Sequence, residues 1–454
     1  MGLLRTALDD LGLEPEAADT TPLETPVPLD AELPVGRLAE EAVRFAAIAA
    51  RRLGIPPAPL DGARIATSFS SERCFQLNGS TPDAWAPLSG FWATADGWVR
   101  THANYPHHRN ALLRSLDIAE GDDQLEKALV RQALATTTSL EAENIIVAAG
   151  GVAAAMRTSA EWNAHPHGRG VPAQPLLRIE ARPGSAAHAG RHPSGGRVRT
   201  PPGNSARPLE RVRVLDLTRV LAGPVCCRTL SLWGAEVLRI DPPFLPEPEW
   251  IHFETGAGKR SALLDLRSDR DRFRQLLRGA DVLVHGYRPG ALRALGLEDL
   301  ISDAPGLVVA SLSAWGAGPW GERRGFDSIV QAASGIAAAE SPDGARPGAL
   351  PAQALDHSAG YLLAGAVAQL LQRRAHHGGG WSVEVSLARI ASELLALPRE
   401  ARRPGIRFAP TVSTAKTAAG SITQALPALG TEGYRFPPRR FGADQPAWPS
   451  RTDG

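Results

Sequence analysis

Cysteine is nearly absent from this chain. Only Cys74, Cys226 and Cys227 occur in 454 residues. They are too few and too oddly spaced for a disulfide framework or a zinc site, and two adjacent cysteines rarely pair with each other. That usage points to a cytoplasmic protein. Long apolar runs are missing as well. No stretch approaches about 18 residues without a polar break, and the opening segment MGLLRTALDDLGLEPEAADTTP carries acidic residues and no apolar run of signal-peptide length. Neither membrane spanning nor export is expected. Charge of one sign is not in excess either: 49 Lys and Arg stand against 48 Asp and Glu, a formal net charge of +1. The basic residues are interleaved with acidic ones, so neither nucleic acid nor a membrane surface is implied as a partner. Two phosphate-binding signatures are lacking. No G-x-G-x-x-G follows the first predicted strand, and no G-x-x-x-x-G-K-[ST] occurs.

What is present is an ordinary globular mixture, 43% hydrophobic and 21% charged, long enough for two or more domains. Residues 14–36 are rich in Pro, Glu and Thr, and residues 183–209 are rich in Gly, Pro and Ser with almost no large apolar side chain. Both read as linkers. The division that follows is an N-terminal extension at 1–36, a small α+β domain at 37–182, a linker at 183–208, a larger domain at 209–400 and a C-terminal tail at 401–454. Helical spacing of apolar residues marks 37–56 and 123–157, while 171–181 looks extended. After residue 209 short apolar runs alternate with amphipathic ones: VRVLDL at 212–217, AEVLRID at 235–241, ADVLVHGY at 280–287 and LVVASLSAW at 307–315. This is the pattern of an α/β, Rossmann-like parallel sheet covered on both faces. Ligands in such sheets sit beyond the carboxyl ends of the strands, which directs attention to Thr218 to Pro224, the segment from Pro242, Tyr287 to Gly290, and Trp315 to Gly318.

One helix stands out. PAQALDHSAGYLLAGAVAQLLQRR, residues 351–374, opens on Asp356 and then runs apolar on nearly every face, as a buried helix does. An N-cap is one role for that carboxylate. His102, His107, His108 and Arg109 lie close together, but no Cys, Asp or Glu partner pattern makes them a metal site. Packing, or contacts at a cleft between domains, is the better reading for them. His376 and His377 fall at a helix end, where the dipole favours them and solvent is expected.

Four motifs follow one another between 209 and 395: DLTRVLAGP, LWGAEVLRIDPP, GKRSALLDL and HGYRPGALRALGL. In this order they resemble the family III CoA-transferases and their α-methylacyl-CoA racemase relatives. The resemblance implies a Rossmann-like CoA domain, transfer of CoA between an acyl-CoA and a carboxylic acid, and a covalent aspartyl intermediate. It makes Asp356, at the head of the apolar helix, the catalytic nucleophile. Thr218, Arg219, Val220, Leu221, Ala222, Gly223, Pro224, Lys259, Arg260, Tyr287 and Arg288 become the CoA contacts. Coenzyme A or acyl-CoA is then a substrate rather than a tightly bound cofactor, no metal is needed, and a homodimer, interlocked in many members, is expected.

The chain departs from the family in two ways. LSGFWATADGWVRTHANYPHHR and AAGGVAAAMRTSAEW look like the family's small domain, which ordinarily follows the nucleophile helix and here precedes it. In the racemase branch a His sits in a G-H-D segment; this chain has Gly325-Phe326-Asp327. Phe cannot carry a proton, which favours transfer over racemisation unless His357 substitutes. A racemase or epimerase, and a CoA-binding protein without catalysis, remain as alternatives.

Overall fold

The computed structural model of the protein describes residues 2–14, 21–182, 207–399, 408–430 and 433–449. Most of the expected linker at 183–208 lies outside the described residues.

Seven strands form the main sheet. Arg213–Leu217 is central, flanked by Glu236–Asp241 and Val282–His285, with Lys259–Leu263 beyond the first and Val308–Ser313 and then Trp381–Ser386 beyond the second. These six are parallel, and Arg178–Ala181 closes the edge antiparallel to Trp381–Ser386. Successive residues of the central strand serve opposite faces. Val214 joins the core formed with the helices Ala222–Leu232 and Ala354–His377, while Leu215, opposite Leu238 and Leu283, joins that of Arg270–Gly279. Burial on both faces is why each strand reads as a near-continuous apolar run.

The helix Ala354–His377 is buried along most of its 24 residues. Its small residues explain how two other helices reach it. A Cβ at Gly360 would stand 2.6 Å from Val225 and 2.7 Å from the carbonyl oxygen of Ala222, and one at Gly365 would stand 2.6 Å from the Phe45 ring. Ala222–Leu232 therefore packs on one side and Val35–Arg52 on another.

The N-terminal segment is shared between two cores. Within residues 88–155 the strands Gly90–Ala93, Trp98–Thr101 and Ala153–Ala155 form a three-stranded sheet. It packs with the helices Pro106–Ser115, Asp123–Ala135 and Ser139–Ala148 around Trp92, Val99, Leu112, Val130 and Ile146. Val35–Arg52 and Arg178–Ala181 are instead built into the larger unit. The C-terminal hairpin Val412–Thr417 and Gly420–Ala425 pairs with Gln76–Leu77, and Trp448 donates to the carbonyl of Leu276. No described helix is long and apolar enough to cross a membrane.

Candidate functional site

The start of the long helix is held by a residue far away in the sequence. Gln353 occupies the N-cap position without a side-chain hydrogen bond. The orphan N–H groups of Leu355 and Asp356 are accepted instead by Oδ2 of Asp327, at 2.9 and 3.0 Å. Gln331 donates to the other Asp327 oxygen, and its own Oε1 accepts from the backbone of Leu350 at 3.0 Å. Capping is thus performed by Asp327, and the carboxyl of Asp356 is not used for it.

Asp356 faces a cavity of about 420 Å³. Burial, then the negative charge of Asp327 and that of Glu72, push its carboxyl well above the usual carboxylate range. Burial also raises Asp327, to about 6, against the hydrogen bonds from Gln331 and from the backbone of Asp356 and Leu355. The two carboxyls cannot both ionise cheaply at such proximity. Asp327, with three donors aimed at it, is the better home for the charge, and Asp356, which has none among the described residues, is the readier of the two to hold a proton.

The end of the central strand makes the opposite wall. Thr218, Arg219, Val220, Leu221 and Ala222 line the cavity with Tyr287 and Arg288. Val220 has φ +69°, the left-handed region that a β-branched residue avoids. Glu247 holds it there by accepting the Val220 N–H at 2.7 Å, and Glu247 is itself fixed by buried Arg239, which forks onto Asp241 at 2.7 and 2.9 Å. Backbone strain locked by a buried ion-pair network is a feature of ligand-binding turns. Arg219 lies over the Tyr105 ring at 5.2 Å, and its Nε and Nη2 are buried without a hydrogen-bond partner. A half-buried guanidinium with two buried, unused donor atoms suits an anionic ligand.

Other CoA candidates lie elsewhere. Lys259 is buried and donates to Asp216 Oδ2 at 3.0 Å; Asp216 in turn accepts from Thr218 N–H at 2.9 Å and from its hydroxyl, so the lysine braces the loop from behind. Arg260 pairs with Asp444 and Glu236 and lines a separate cavity of about 730 Å³. A Cβ at Gly223 would meet the Thr218 side chain at 2.3 Å, so this glycine and Pro224 serve the tight strand-to-helix turn and do not line the cavity. His357 is also off it: its ring is fully buried, stacks on Phe69 at 5.1 Å between centroids, and approaches Glu72 at 3.8 Å. His376 and His377 are exposed.

Sequence reasoning missed three contributions: the capping carboxylate of Asp327, the wall supplied by Tyr105, and the arginines Arg323 and Arg324; for His107 and His108 it offered packing or cleft contacts without saying which cavity they line. The G-F-D segment and the histidine-rich segment were both visible; their meeting across more than 200 residues was not.

A family model and known proteins match this chain. The family model described as CoA-transferase family III matches residues 209–399. Residues 209–399 belong to CoA-transferase family III. The chain is similar to the probable fatty acyl-CoA transferase Rv3272 of Mycobacterium tuberculosis, at 33% identity over 261 residues, 49% of this chain and 66% of that protein. It is similar also to succinyl-CoA:glutarate CoA-transferase of Mus musculus, at 32% over 252 residues, covering 49% and 57%. For formyl-CoA:oxalate CoA-transferase of Streptomyces coelicolor the figures are 31% over 199 residues, covering 40% and 48%. The chain therefore spans about half to two thirds of the length of these relatives. A crystal structure of Rv3272 aligns with 42% of this chain and 58% of its own, at 33% identity and a TM-score of 0.40.

Proposed function

We propose that the protein moves CoA between an acyl-CoA and a carboxylic acid, with Asp356 as the covalent nucleophile. The observation that carries this reading is that Asp327 performs the capping, so that Asp356 is free to face a cavity rimmed by the strand-end residues 218–222, Tyr287 and Arg288. The Asp356 carboxylate attacks the thioester carbonyl, forming a mixed anhydride and releasing the CoA thiolate. The thiolate then attacks the aspartyl carbonyl, giving an aspartyl-CoA thioester and the free donor acid. The acceptor carboxylate reverses the sequence and leaves as its CoA ester. Covalent catalysis thereby splits one difficult exchange into four easier displacements. Asp356 must first give up its proton, and the helix N-terminus on which it stands favours the anion once that proton is gone.

Arg219, Tyr287 and Arg288 would contact CoA directly, with Thr218 to Ala222 forming the wall it lies against. Gly223, Pro224 and Lys259 would shape that wall from behind. The nearly cysteine-free composition supports a cytoplasmic setting, and the family resemblance supports a homodimer with 209–400 as its CoA-binding part. The test is CoA exchange between an acyl-CoA and a free carboxylate by the full chain. Exchange that retains α-deuterium in a 2-methylacyl-CoA supports the reading, and wash-out of that label without exchange would replace it by racemisation.

A proton on Asp356 favours that second reading in one respect, since a carboxylic acid can protonate an enolate. Phe326 and the off-cavity position of His357 speak against it.

A further inference from the structure

His107 and His108 line the cavity that Asp356 faces. The ring of His108 is hemmed in by four others: Phe326 at 5.8 Å between centroids, Tyr105 at 5.7 Å and His102 at 6.3 Å, all edge-on, and His107 at 4.0 Å. His102 in turn lies flat on Phe326 at 3.7 Å. Phe326 directly precedes Asp327, whose carboxylate holds the Asp356 N–H at 3.0 Å. One ring contact and one hydrogen bond therefore connect the imidazole to the backbone of the nucleophile.

This imidazole is fixed in place yet chemically unspent. His108 is 5% exposed, its Nδ1 is buried without a partner, and no side-chain hydrogen bond restrains it among the described residues. An orphaned buried N–H is rarer than an orphaned acceptor, so the favoured tautomer carries its proton on Nε2. Burial, then the charges of His107, Arg324 and Arg288, push its pKa down to about 3. Such a group is a neutral hydrogen-bond donor at physiological pH and a poor base.

We propose that His108 donates a hydrogen bond from Nε2 to the thioester carbonyl oxygen and stabilises the oxyanion formed when Asp356 attacks. This rests on the transferase reading above. In the step, the Asp356 oxygen forms a bond to the carbonyl carbon and the C=O π pair moves to oxygen. His108 keeps its proton throughout. When the carbonyl re-forms, the C–S bond breaks and the thiolate leaves with the electron pair. A neutral imidazole suits this role because an imidazolium would surrender its proton to the oxyanion. A donor pre-set in a cavity needs no reorganisation during reaction, and losing one such donor costs on the order of 100- to 1000-fold in rate.

Two measurements on the full chain test the proposal separately from the reading beneath it. In the first, protein labelled with 15N at histidine is followed by long-range 1H–15N NMR from pH 5 to 8, with acetyl-CoA or with CoA. The His108 ring stays neutral with its proton on Nε2, and that proton moves downfield with acetyl-CoA but not with CoA. A ring that titrates near pH 6.5, or responds equally to both, overturns the proposal whether or not CoA is transferred. In the second, His108→Ala lowers kcat for exchange by about 100-fold or more with KM for acetyl-CoA within about 3-fold of the parent, and His108→Gln recovers part of the loss through its amide N–H. A kcat for His108→Ala within about 3-fold of the parent overturns it. Absence of exchange in the parent, with the acetyl-specific shift intact, would sink the transferase reading and uphold the hydrogen bond.

Discussion

Asp327 Oδ2 accepts the backbone N–H of Asp356 at 3.0 Å, so one carboxylate caps the helix that presents the other. The pair has distinct places: Asp327 holds backbone and receives three donors, and Asp356, whose carboxyl burial and Asp327 push upward, faces the cavity. Changing either residue is therefore predicted to affect different observables.

Asp327→Asn keeps an oxygen for the two N–H groups but removes the negative charge beside Asp356. The acid limb of the exchange rate should move to lower pH, because Asp356 then ionises more readily. Asp327→Ala should instead cost about 1–3 kcal/mol, since it strands buried donors at the helix start. Urea unfolding of both variants, beside their pH–rate profiles, checks this. Equal pH profiles for parent and Asn variant would show that the two carboxyls are not coupled.

The same pair sets a pH dependence of stability. Both carboxyls are raised in the folded state, Asp327 to about 6 and Asp356 well above its ordinary value. A raised carboxyl favours folding at acid pH, and that contribution is lost as pH climbs from the unfolded value, about 4, through the folded one. Asp356→Asn removes this loss. Its stability relative to the parent should therefore rise between about pH 4.5 and pH 8, as read from urea midpoints. A difference that stays flat or falls would contradict the raised values.

Val220→Gly relieves a left-handed β-branched residue held by Glu247. Glycine adopts that conformation freely, so unfolding stability should rise by up to about 1 kcal/mol after the entropy of the more flexible unfolded chain is counted. CoA binding by calorimetry should weaken, because the wall is no longer pre-set. Tighter binding with lower stability would mean that the strain has no part in shaping the cavity.

Gly360→Ala places a methyl 2.6 Å from Val225 and 2.7 Å from the Ala222 carbonyl oxygen. Helix propensity gains about 1 kcal/mol, but the overpacking should outweigh it and leave a net loss of about 1–2 kcal/mol. Because the displaced residues end the 218–222 wall, CoA affinity should fall as well. Thermal unfolding with parallel CoA titration reads both.

The parallel sheet was legible because its strands are buried on two faces, so VRVLDL and AEVLRID stand out as apolar runs. Asp356 drew notice as the carboxylate that opens a nearly all-apolar helix, but its place alone read as an N-cap and the nucleophile role came from the family resemblance; the strand-end segment was singled out by the rule that ligands sit beyond carboxyl ends. Long-range pairing was not. Nothing local to Gly325-Phe326-Asp327 says that its carboxylate caps a helix 29 residues away. The family resemblance made Lys259 a CoA contact, whereas its neighbour in space is Asp216. The histidines at 102–108 carry no metal spacing, and the position of His107 and His108 on the cavity wall arises from packing between two parts of the chain.

In the proposed mechanism Asp356 becomes covalently attached to CoA. Intact-mass analysis of the full chain after incubation with an acyl-CoA, followed by peptide mapping, tests it most directly. A CoA adduct is expected on the peptide that contains Asp356, and is expected to be absent from a folded Asp356→Asn variant whose mass excludes deamidation. An adduct on another carboxylate, or undiminished CoA exchange by that Asn variant, would contradict it.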